Sequence, residues 1–159
     1  MKSKDLQAVL NSPYKDYFET AGASDVYLLS KSKANNFWDN AVEEKIDSFF
    51  KLPNDNWIVN SVSVKIGEWI SAYNADEKKP VSQVLRKNIA WDESSTIWFL
   101  VNRDIAFQTT WNNFIELWDD FIAIEDDCPL ILPNNPRKEG ALIFSSIGHI
   151  LKINGIKSV

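Results

Sequence analysis

Carboxylates are the most concentrated reactive groups in this chain. Asp119-Asp120 is followed after four apolar residues by Glu125-Asp126-Asp127. Three adjacent carboxylates in a turn are able to hold a divalent cation, or to divide the roles of general acid and base. The spacing lacks the D-x-D-x-D-G pattern of an EF-hand loop. A solvated acidic turn is the plainest reading, and a contact surface for a basic partner comes next. Trp91 joins that surface as a candidate aromatic anchor, because exposed Trp often dominates the binding energy of an interface. Trp38 and Trp57, which also lack clear periodicity, are further candidates for exposure. The partner-binding set is therefore Asp119, Asp120, Glu125, Asp126, Asp127 and Trp91.

Other chemistries are poorly supplied. There is one histidine, His149, so a His-centred triad has a single place to form. It follows Gly148 in a predicted hairpin, no G-x-S-x-G motif accompanies it, and it reads as a surface or edge-strand side chain. One His and one Cys do not make the usual zinc ligand set. Cys128 lies between Asp127 and Pro129, where neighbouring carboxylates raise a thiol's pKa and make a poor nucleophile. The five glycines are scattered, which removes phosphate-loop and dinucleotide-binding readings. No catalytic residue, cofactor or metal is expected.

The elements that must position these groups follow from hydrophobic spacing. Residues 3–20 read as one or two short helices broken at Pro13, with Ser3 as a cap and Gly22 as a stop. Residues 25–29 read as a strand. Residues 32–50 predict a helix through Phe37, Ala41, Ile46, Phe49 and Phe50. A second helix is predicted over 61–73 from Val62, Ile66, Trp69, Ile70 and Tyr73, with Gly67 as a local cost. Pro80 opens a third helix to Ile89.

The texture changes after Trp91. The apolar run 96–101 is too short for a buried helix and reads as a central strand covered on both faces. A turn at 102–104 leads into a strand over 105–108. Thr109 or Thr110 caps a helix over 111–119, whose residues Trp111, Phe114, Ile115 and Trp118 share one face. Residues 121–124 and 129–132 read as strands flanking the acidic turn. A loop over 133–138 then leads to a last hairpin, 141–144 with 150–153. The fold class is α+β: N-terminal helices packed on a mostly antiparallel sheet formed largely by the C-terminal half, with one inserted helix. Residues 1–159 are expected to form a single domain.

The net charge of −5 argues against nucleic acid and against an anionic membrane surface, and steers toward basic partners. A lone cysteine, no apolar run of membrane-spanning length and no signal-peptide pattern at the start point to a reducing, cytoplasm-like setting.

The most distinctive stretch is Trp91-Asp92-Glu93-Ser94-Ser95-Thr96-Ile97-Trp98-Phe99, then Thr109-Thr110-Trp111-Asn112-Asn113-Phe114, Trp118-Asp119-Asp120-Phe121, Asp126-Asp127, and Pro129-Leu130-Ile131-Leu132. Phe144 precedes Gly148. This pattern resembles a family of small gammaproteobacterial proteins, domain of unknown function 2947. The resemblance is strongest from Pro80 to Ile153 and departs at Cys128, where the family pattern usually has Gly. It implies a bacterial cytoplasmic protein and brings no catalytic residues. Size, acidity and aromatic richness point to a non-enzymatic inhibitor, an immunity protein that neutralises a basic, nuclease-type toxin. A housekeeping or regulatory binding protein fits the same residues. A carboxylate-dependent enzyme would need a cleft that raises one carboxylate's pKa.

Overall fold

The computed structural model describes residues 5–18 and 21–155. Eight strands form one sheet: β1 (Leu6–Ala8), β2 (Tyr27–Leu29), β3 (Ser63–Glu68), β4 (Thr96–Leu100), β5 (Ala106–Thr110), β6 (Leu130–Leu132), β7 (Ala141–Phe144) and β8 (His149–Ile153). Their spatial order is β1-β2-β5-β4-β6-β7-β8-β3, and every neighbouring pair is antiparallel. The helices are α1 (Lys31–Ala41), α2 (Ile70–Asn74), α3 (Lys79–Asn88), α4 (Trp111–Ile124) and the single turn α5 (Pro136–Glu139). No helix among the described residues is long and apolar enough to cross a membrane.

The apolar runs of the central strands exist because helices cover both faces of the sheet. Successive strand side chains point to opposite faces. Ile97 and Phe99 of β4, Phe107 of β5, Ile131 of β6 and Leu142 of β7 join a core with Trp111, Phe114, Trp118 and Phe121 of α4 and Leu85 of α3. Leu100, Ala106, Leu130, Leu132 and Ile143 face the other way, into a second core with Trp38 of α1, Trp57 and Ile58. The expectation of a doubly covered strand at 96–101, of its turn into the next strand and of the last hairpin holds in the structure.

Three expected helices are corrected. The 61–73 helix is instead β3 followed by the short α2. Val62 and Ile66, four residues apart, fit one face of a strand as well as they fit a helical stripe, and pairing with β8 decides for the strand. Gly67 stands where the β3–β8 register shifts, which is a bulge position rather than a helix interior. The first predicted helix gives way to β1 and short 3-10 turns at Val9–Asn11 and Lys15–Tyr17, with Ser12 bonding back to the Val9 carbonyl. The proposed Ser3 cap lies outside the described residues. The 32–50 helix ends at Ala41 because other donors take its last carbonyls: the Trp57 indole donates to Ala41 O and the Asn56 amide to Val42 O, both at 2.7 Å.

A fourth correction lengthens an element. Residues 121–124, read as a strand, continue α4. Phe121 and Ile122 extend the helical spacing of Trp111, Phe114, Ile115 and Trp118, and all six are buried. Thr110 caps the helix by accepting the Asn113 N–H at 3.1 Å, as its sequence predicts. Leu117, at φ −115° and ψ 15°, kinks it midway. The acidic turn thus joins a helix to a strand, not two strands. The loop expected at 133–138 contains α5, whose single turn ends at Gly140.

Helix α1 is tied to the β4–β5 turn. Arg103 donates twice to Asp39, at 2.8 Å each, and Asn35 donates to Arg103 O at 2.9 Å and to Asp104 at 2.7 Å. The hydrogen bonds from Arg103, opposed by partial burial and aided by the Lys45 N–H, hold the Asp39 carboxyl at about 2 instead of 3.8. Because this pKa is depressed by folding, the pair's contribution is complete above the unfolded carboxyl range and is lost as pH falls through about 2. Asp39→Asn should therefore be less stable than the wild type at pH 6, and the gap should close between about pH 4 and pH 2 in urea melts. A gap that stays constant with pH would remove the ion pair as its cause.

Gly140 adopts φ +91° and ψ −164°, and a Cβ there would lie 2.2 Å from the Ile153 carbonyl oxygen. Gly140→Ala should cost about 3 kcal/mol or more, seen as a lower urea midpoint with an unchanged slope.

Candidate functional site

Of the predicted carboxylates, Asp119 and Asp120 line one cavity whose walls do not include Glu125, Asp126 or Asp127. Both lie on the second half of α4, after its kink. The cavity measures about 410 Å³ and gathers three separate segments. Asp16 and Tyr17 come from the 3-10 turn near the N-terminus, and Tyr73, Asp76 and Glu77 from the end of α2 and the residues after it. Trp118, buried beneath, supplies an apolar wall and donates its indole N–H to Lys78 O at 3.1 Å. The rings of Tyr73 and Trp118 lie 6.4 Å apart.

Five carboxylates thus share one open cavity with exposed tyrosine rings. Lys78 approaches Asp119 at 3.7 Å, and no ion pair reaches Asp16, Asp76 or Glu77 among the described residues. The local field is registered by Tyr73, whose pKa is raised first by burial and then by the charges of Asp126, Asp119 and Asp120. Asp126 thereby adds to the field without lining the cavity. Among the described residues, no group of three or more His, Cys, Asp or Glu is placed to hold a metal ion. The carboxylates are spread around a rim, a geometry that suits several cationic side chains better than one metal ion.

Glu125, Asp126 and Asp127 form the turn between α4 and β6. Asp126 and Asp127 are exposed, and Glu125 accepts the Asp127 N–H at 3.0 Å. Trp91 stands apart from the acidic group. It is half-buried, packs edge-on against Trp111 at 4.9 Å, and lines a smaller cavity of about 270 Å³ with Ile89, Glu139 and Lys152. The expectation of exposed Trp anchors is corrected: Trp38 and Trp57 are buried, and none of the seven Trp is exposed. The aromatic rings at the surface beside the carboxylates are Tyr17 and Tyr73. Spacing alone did not associate Asp16, Asp76 and Glu77 with α4, because nearly sixty residues separate the first two segments. His149 begins β8 opposite Glu68 of the edge strand β3.

Cys128 is half-buried at φ +61°, a left-handed conformation that glycine adopts most readily. Its thiol pKa is raised above the ordinary 9.0 by burial first, with the charges of Asp127 and Glu125 adding to it. Burial, more than the carboxylates anticipated from the sequence, keeps it protonated. Cys128 should react with a thiol reagent at pH 8 about tenfold or more slowly than free cysteine, and its rate should climb only above the ordinary thiol range. Reaction at the free-thiol rate would contradict that environment.

A family model described as "Protein of unknown function (DUF2947)" matches residues 17–152. No curated protein and no solved structure matches the chain.

Proposed function

We propose, from the premise that the chain belongs to the DUF2947 family of proteins of unknown function, that it is a non-catalytic binding protein for a cationic polypeptide. One observation carries this reading: three distant segments bring Asp16, Asp76, Glu77, Asp119 and Asp120 around a single cavity edged by Tyr17 and Tyr73. Carboxylates attract ammonium and guanidinium groups, and the face of a tyrosine ring does the same through its quadrupole. Asp126, whose charge also helps to raise the Tyr73 pKa, adds to this negative potential. The overall charge of −5 would speed the encounter.

The finer reading is inhibition. An acidic bacterial immunity protein acting in the cytoplasm would hold a basic toxin, of nuclease type, through such a cavity. Supporting it are the small size, the single cysteine and the scarcity of nucleophile–base pairs. The acidic surface it uses is centred on Asp119 and Asp120, with the turn at 125–127 as its margin.

The test starts from a basic protein that co-purifies at low salt and leaves at high salt, followed by titration of that purified partner. Asp119→Lys with Asp120→Lys should weaken binding about 100-fold and flatten its salt dependence, while the circular dichroism spectrum is retained. Asp126→Lys with Asp127→Lys should weaken it by about tenfold or less. Undiminished binding in the first double variant would remove the cavity from the contact. Failure of any cationic polypeptide, including deca-arginine, to bind with salt dependence would remove the reading itself.

A further inference from the structure

A second cavity has the opposite electrostatic character. It measures about 390 Å³, within the size range of small-ligand sites of ~300–1,000 Å³. Lys33 and Arg137 are its cations, and Asn36, Asn40, Asn134 and Asn135 supply four carboxamides. No carboxylate lines it, in a chain that carries 22 Asp and Glu residues. Among the described residues neither Lys33 nor Arg137 enters an ion pair.

The walls are built rather than incidental. Lys33, Asn36, Phe37, Asn40 and Ala41 fall at i, i+3, i+4, i+7 and i+8, which is one face of α1. That face is fixed from below: the Phe37 ring lies 4.6 Å from Trp98, whose indole donates to Gln108 at 3.0 Å. The carboxylates nearest in sequence on α1 and α5 do not line the cavity, although Glu139 is bonded to the backbone of one of its residues. Asp39 is held by Arg103, and Glu139 accepts the Asn135 N–H at 3.1 Å. Arg137 is placed over the ring of buried Trp57, 5.6 Å from its centre, and Trp57 is itself pinned to the end of α1 through Ala41 O. The opposing wall therefore has a defined position relative to the helix.

We infer that this cavity between α1 and the 134–137 segment binds a phosphate monoester with a hydroxyl-bearing body. Two cations without carboxylate partners suit a dianion, and a guanidinium matches phosphate geometry. Carboxamides each offer donors and an acceptor, which suits hydroxyl groups or base edges. Phe37, Ala41 and Pro136 give the apolar surface on which a ring can rest. A sugar phosphate and a nucleoside monophosphate share this chemistry.

The test is calorimetric titration of the full chain with glucose 6-phosphate, AMP, glucose, adenosine and inorganic phosphate, with Trp fluorescence as a second readout. One of the two esters should bind saturably, about tenfold or more tightly than its dephosphorylated form and than inorganic phosphate. The ester that binds tells a sugar phosphate from a nucleotide. Lys33→Ala with Arg137→Ala, both exposed positions, should weaken binding about tenfold or more, and Asn134→Asp should weaken it by placing an anion in the cavity. The Asp119→Lys/Asp120→Lys variant should bind the ester unchanged, which separates this site from the acidic one. The inference is overturned if neither ester binds below about 5 mM, if inorganic phosphate binds as tightly as the esters, or if the Lys33/Arg137 variant binds undiminished.

Discussion

The contact between one face of α4 and the sheet is the constraint on which the rest of the molecule depends. Phe114 and Phe121 of the helix meet Phe99 of β4 at 6.1 and 5.0 Å between ring centres, and Phe144 of β7 meets Phe114 edge-on at 6.0 Å. Phe107 of β5 closes the group at 6.1 Å from Phe121. Aromatic pairs in offset or edge-on arrangements add to the area they bury. The cluster joins strands from the middle of the sheet to one helix, so the helix axis has little freedom. With that axis fixed, the polar side of the second half of α4 can project only where Asp119 and Asp120 stand, against α2 and the N-terminal turn.

The sheet separates two chemistries. Helices α3 and α4 cover one face and α1 covers the other. The carboxylate-rich cavity belongs to the first layer and the carboxylate-free cavity to the second. Trp98 and Phe99, adjacent on β4, point into the two different layers, and each helps to brace the helix that carries a cavity. A strand buried on both faces thus supports two surfaces of unlike charge, although the chain as a whole is acidic.

Most of the second half of the sheet was legible because its strands are short apolar runs bounded by turn residues, with no competing period. The first half was harder for a physical reason. Val62 and Ile66 stand four residues apart, a spacing that serves either a strand or a helix, and pairing with the distant β8 backbone selects the strand. Phe121 and Ile122 looked like a strand locally, yet they prolong a helical face begun ten residues earlier. The site was half legible. Asp119 and Asp120 stood out as a pair, but their companions come from residues 16 and 76–77, and proximity in space leaves no mark in local spacing. Composition gave the abundance of Trp without its placement: five of the seven are buried, and Trp91 and Trp98 are half-buried.

The last position of β3 in the sheet has a consequence for how the chain is made. Among the described residues its one strand partner is β8, so Ser63–Glu68 waits for Ile150 and its neighbours, more than eighty residues later. Contacts of such separation form late, after the entropy of a long loop has been overcome. During synthesis from the N-terminus, Val62, Val64 and Ile66 leave the ribosome with no strand to join, while α3, α4 and the β4–β5 hairpin follow. An unpaired apolar edge of this kind is a binding site for chaperones and a seed for aggregation until the chain is nearly complete. The final hairpin therefore acts as the closing step of the fold, and a chain that ended before residue 149 would leave both β7 and β3 without the strand that joins them.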